Sequence, residues 1–239
     1  MSTRHPIEHK LTAIAKTVVH ALGHIPEGGS GGSHALTQAY GVLARLGEDG
    51  RALVSLNSHR NPMETDGAHT KRVATAAQAF AKAVEATRER ARKLIADGRI
   101  GIDKQIATKT NLVPDAYAAE VRGVFRGLTH SERLKFLNEL LEQGRGPEFA
   151  AIIKAPRSLT GITEDLRAKY ETAFISKHAA AELLDRDALN DALETVEVVS
   201  RTAAEVAQAY NDPAKLAEIT KAEEAAAAAA KAFESSVQS

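Results

Sequence analysis

The stretch "GAHTKRVATAAQAFAKAVEATRERARKLIADG", residues 67–98, constrains the fold more than any other part of the chain. Val73, Ala77, Phe80, Val84, Ala91 and Leu94 recur at helical spacing, which predicts one long helix with a single apolar stripe and Gly98 as its stop. Only other long elements can cover such a stripe. Composition says of which kind: aromatic residues are 4% of the 239 and Ala is abundant, which suits close-packed helices rather than a sandwich of Val, Tyr and Trp. With 44% apolar residues, a sizeable core can be covered. The expected fold is all-α, a multi-helix bundle with long C-terminal helices.

Before that stretch, "HPIEHKLTAIAKTVVHALG" places Ile7, Leu11, Ile14, Val18 and Leu22 on one helical face and ends at Gly23. The glycine-rich "EGGSGGS", with its loop at 28–33, follows. A phosphate-gripping Walker loop needs Lys-Ser/Thr after its last Gly, whereas this one continues Gly32-Ser33-His34. A dinucleotide fingerprint needs a preceding strand, and the preceding segment reads as helix. The loop is expected to be a hinge or surface connection. "YGVLARLGEDGRALVSLNS" reads as a small β-hairpin near residues 40–57, turning at Gly47-Glu48-Asp49-Gly50, or as two short helices, with the hairpin slightly preferred.

Shorter helices are expected next. Pro114 and Asp115 can start "PDAYAAEVRGVFRG", and Thr129 with Glu132 forms a capping-box signature ahead of a helix that Gly144 would close. From Thr163 the helices lengthen: Leu166, Tyr170, Phe174, Ala181 and Leu184 mark one, and Leu189, Leu193, Val196, Val199 and Val206 the next, at near coiled-coil spacing. Asp185-Arg186-Asp187 and Asp191 read as caps at the junction between them. Asn211-Asp212-Pro213 ends that run and starts "AKLAEITKAEEAAAAAAKAF". The interruption "APRSLTG" at 155–161 suggests a mainly helical domain over 1–155 and a long-helix region with an Ala-rich tail over 156–239.

Charge is balanced overall and divided along the chain. Residues 1–130 carry 18 Lys/Arg against 12 Asp/Glu, a net +6, and residues 131–239 carry 13 against 19, a net −6. Such a division suits head-to-tail association or a mildly basic surface. The segment 71–109 alone holds ten Lys/Arg and four Asp/Glu. Lys71, Arg88, Arg92 and Arg99 are its nucleic-acid-binding candidates, although Glu85 and Glu89 are placed to pair locally. The Leu189, Leu193, Val196, Val199 and Val206 stripe supplies the candidate protein interface.

Specific chemistry finds little support in these residues. Without cysteine there is no thiolate nucleophile, disulfide or Cys-ligated zinc. Seven of nine histidines lie in residues 1–69, with His5/His9 and His20/His24 at i,i+4, but neither pair carries the HExxH glutamate or a third ligand. No GxSxG elbow organises the serines. No catalytic residue, metal or cofactor is expected, and the chain reads as a non-enzyme. No apolar run approaches the roughly 20 residues of a membrane span, and the opening "MSTRHPIEHKLTAIAK" lacks a secretory apolar core, so no membrane partner is expected.

The stretch "LNELLEQGRGPEFAAIIKAPRSLTGIT", residues 137–163, resembles a pattern in helical proteins encoded by tailed phages and prophages: an acidic amphipathic helix, a Gly, an apolar "AAIIKAP" and a Leu-Thr-Gly turn. The resemblance covers about 27 residues and transfers no site residue. It implies a virion-associated or assembly role. The expected function is that of a structural or interaction protein, a homo-oligomer or part of a larger assembly, cytoplasmic or, if phage-encoded, in the virion; the alternative is a nucleic-acid-associated protein using the basic helix.

Overall fold

A computed structural model describes residues 6–25 and 31–237. Among the described residues, ten helices follow one another: α1 (Pro6–Gly23), α2 (Gly31–Ser58), α3 (Asp66–Thr110), α4 (Ala118–Gly127), α5 (His130–Gln143), α6 (Gly146–Ile153), α7 (Arg157–Thr160), α8 (Glu164–His178), α9 (Ala180–Ala209) and α10 (Pro213–Val237). The chain is all-helical, with no strand among the described residues. None of these helices is long and apolar enough to cross a membrane.

The hairpin expected near 40–57 is not formed; those residues lie inside α2. The four residues read as its turn are helical because their glycines admit a neighbour. A Cβ on Gly50 would stand 2.5 Å from Leu11 Cδ2 of α1, and one on Gly47 would meet Ile14 at 3.6 Å. With Leu43, Leu46 and Leu53 buried around them, the two glycines, three residues apart, let α1 approach α2. Residues 28–30 of the expected glycine loop lie outside the described residues, and Gly31, Gly32 and Ser33 open α2.

Gly98 likewise does not end its helix: α3 runs on to Thr110. A Cβ there would come 2.6 Å from the Ala35 methyl and 3.3 Å from Leu189 Cδ2, so the glycine marks a close approach of three helices. The acidic residues read as a junction at 185–187 lie within α9, and the break falls at Ala179. Asp185 is buried against Gly32 in the first turn of α2, an end that favours negative charge. Lys109 Nζ meets Glu182 Oε1 at 2.5 Å and holds that carboxyl below the usual carboxylate range by hydrogen bonding.

The described residues cluster into two compact units. Unit 1 takes α1, α2 from Leu36, α3 up to Leu94, α9 from Ala192, and α10; unit 2 takes the start of α2 to Ala35, α3 from Ile95, α4 to α8, and α9 up to Asp191. Residues 155 and 156 both lie in unit 2, so the units do not follow the linear division at the "APRSLTG" interruption.

Unit 2 has its own core of Phe125, Leu137, Leu140, Phe149, Ile152, Ile153, Ile162 and Phe174, with Phe149 and Phe174 stacked at 4.6 Å. Helix α6, apolar and buried at every position from Phe149 to Ile153, is the centre. The Thr129–Glu132 capping box is formed at the start of α5, and Gly144 closes that helix at φ 68°. Asp212 accepts from the Ala214 and Lys215 amides at 3.0 and 3.1 Å, starting α10 as its sequence predicts.

Candidate functional site

Four of the five apolar interface candidates, Leu189, Val196, Val199 and Val206, are buried within the chain, and Leu193 is half-buried. They line the inward face of α9 together with Ala192, Ala203 and Ala207. The near-heptad spacing therefore reports internal packing. A stripe already shielded from water is not a free docking surface, which corrects the role expected for these residues.

Three of the four basic candidates are matched by carboxylates of the chain itself. Glu197 of α9 sits between two arginines of α3: Arg88 Nη2 donates to its Oε2 at 2.7 Å, and Arg92 Nε donates to its Oε1 at 2.8 Å. Glu85 and Glu89 add the i,i+3 pairs read from the sequence. The Arg88 hydrogen bond holds the Glu197 carboxyl below the usual carboxylate range, and the same bond raises the Arg88 guanidinium. Lys71 pairs with Glu223 of α10. Of the four, Arg99 alone is exposed without an ion-pair partner among the described residues, and it belongs to unit 2 while the other three belong to unit 1. Phosphates would have to displace carboxylates already in place.

Among the described residues, the histidines form no converging set. The His20 and His24 rings lie 4.2 Å apart, but His24 Nδ1 is engaged by its own helix at the His20 carbonyl. His69 faces Glu64 and the Asn57 carbonyl. Among the described residues, no group of three His, Cys, Asp or Glu side chains is placed to hold a metal. His5 lies outside the described residues. A cavity of about 550 Å³ between α1 and α2 is lined by Glu8, Arg51, Ser55, Ser58 and His59 among others, and His59 Nδ1 there meets the Ser55 carbonyl at 2.9 Å.

Two surface features of unit 1 stand apart from the sites read from the sequence. The first is that α10 buries none of its 25 residues. Its beginning touches α3, where Ile219 lies against Gly67 and Glu223 reaches Lys71, but residues 221–237 are all exposed, with Phe233 and Val237 each 69% open to solvent. The second is a groove of about 460 Å³ between α2 and α3, lined by Asp49, Ala52, Leu53, Leu56, Ala76, Ala79, Phe80 and Ala83. The alanines were legible only as helix formers. That they leave a trough depends on which helix stands opposite. No protein family, curated protein or solved structure matches this chain.

Proposed function

We propose that this chain is a non-enzymatic helical interaction protein, a virion-associated or assembly component that acts in the cytoplasm or in the particle and docks through α10. The observation that carries this reading is a 25-residue helix with no buried residue. One surface ion pair, Lys71–Glu223, contributes about 0–1 kcal/mol and lies at its beginning. Beyond it, the Ala run has the highest intrinsic helix propensity of any sequence, yet helices in water draw most of their stability from packing. Helical spacing aligns Ala222, Ala226, Ala229, Phe233 and Val237 on one face, a stripe that is helix-ready and uncovered. The likeness of residues 137–163 to tailed-phage helical proteins supports the assembly setting.

The test is solution mass by size-exclusion chromatography with light scattering, at low and high salt, for nuclease-treated full chain and for a chain ending at Ala222. An oligomer that persists in high salt and is lost on shortening supports docking through an apolar helix face. An unchanged mass after shortening removes α10 from that role.

A further inference from the structure

We infer that the α2–α3 groove of unit 1 receives the exposed stripe of α10 from a second copy of this chain, joining copies head to tail. The inference rests on the reading of α10 as the docking element and names what it docks into.

The groove and the stripe complement each other in side-chain size. Phe80 and Leu53 form a buried floor, while Ala52, Ala76, Ala79 and Ala83 leave walls low enough for a helix backbone to come close. The α10 stripe answers with Ala222, Ala226 and Ala229, which permit that approach, and then with Phe233 and Val237, two large side chains one turn apart with nothing to cover them. An amphipathic helix laid in an apolar trough with anchors at i and i+4 is a recurrent recognition mode.

Charge favours the same pairing. Glu223 is already paired with the chain's own Lys71, so from Glu224 to Val237 α10 offers Glu224 and Glu234 against Lys231, a net −1. Beyond the groove, Arg45 lies one helical turn from Asp49 on α2 and Arg90 lies two turns past Ala83 on α3. Both arginines are exposed and have no ion-pair partner among the described residues. The chain's own stripe does not fill its own groove, since residues 221–237 are all exposed. Because stripe and groove are different patches of one unit, each contact leaves a free stripe on one copy and a free groove on the other. Such a heterologous contact grows into an open chain unless its rotation closes a ring.

Sedimentation velocity over a concentration series tests this with the full chain and two variants. Ala79→Glu places a bulky acid on an exposed groove position, and Phe233→Ser with Val237→Ser removes both anchors at exposed positions. Circular dichroism should show unchanged helix content for both. The full chain is expected to grow past the dimer with concentration, and each variant alone to associate at least about tenfold more weakly, the loss of roughly one buried apolar side chain. An equimolar mixture of the variants retains one intact groove and one intact stripe, so it should form a dimer and stop. If Ala79→Glu assembles like the full chain, the groove is overturned as receptor while docking through α10 stands. If the anchor variant also assembles unchanged, both fail. A full chain that stays monomeric throughout, or a variant mixture that does not pair, overturns the second copy as occupant.

Discussion

Replacing Gly98 and Gly101 by Ala, one at a time, separates helix propensity from helix crossing within a single element. Both glycines lie in the interior of α3, and both belong to unit 2. Ala is favoured over Gly there by about 1 kcal/mol in helix propensity. At Gly101 nothing stands within 4 Å of the added methyl, so Gly101→Ala should stabilise by about that amount. At Gly98 the methyl would lie 2.6 Å from the Ala35 methyl and 3.3 Å from Leu189 Cδ2. Carbon atoms rest at about 3.5–4.0 Å, so α2 and α3 would have to separate by about 1 Å at that point. Ala35 has no rotamer by which to withdraw. Overpacking of this kind costs about 1–3 kcal/mol, which outweighs or cancels the propensity gain and leaves Gly98→Ala about 0–2 kcal/mol less stable than the parent. Urea unfolding followed by circular dichroism reads both variants against the parent chain. If Gly98→Ala proves as stabilising as Gly101→Ala, the close approach at Gly98 is wrong, and with it the reason given for a glycine in the middle of α3.

Other expectations follow from the same contacts. Val196→Ala should destabilise the chain by about 1–3 kcal/mol in thermal or urea unfolding, as a fully buried position does; a normal melt with a changed oligomeric mass would return Val196 to an interface. The Glu197 carboxyl is held below its ordinary range when folded, so its contribution to stability is complete above the unfolded value of about 4.3 and is lost as pH falls through the lower folded value. Glu197→Gln should therefore flatten the acid limb of a stability–pH curve, and an unchanged limb would show that the two arginine bonds carry no net weight. Arg88→Gln with Arg92→Gln should leave retention on an anionic nucleic-acid column unchanged, because both guanidinium groups already face Glu197; a clear drop in retention and in its salt dependence would revive the nucleic-acid reading.

Much of the helical plan is legible because the signals are local. The stripe of α1, the capping box at Thr129 and Glu132, the stop at Gly144 and the Asp212-Pro213 start each involve residues within one or two turns, whose backbone geometry their own side chains set. The misread glycines share one cause. Gly47, Gly50 and Gly98 look like turns or stops in isolation, since a glycine that breaks a helix and a glycine that admits another helix are the same residue. Only the identity of the neighbour separates them.

The candidate site follows the same division. By itself, the sequence determined that the chain is helical, where α1 and α5 begin and end and where α10 starts, and which faces are apolar or basic, because a helix repeats every 3.6 residues whatever surrounds it. Tertiary structure alone decided that the 189–206 stripe is core and that Arg88 and Arg92 are matched by a glutamate 109 and 105 residues away. It also decided that the stripe left in water belongs to α10. Burial and charge pairing are properties of two surfaces, and the second surface comes from a distant part of the chain that no local pattern can name.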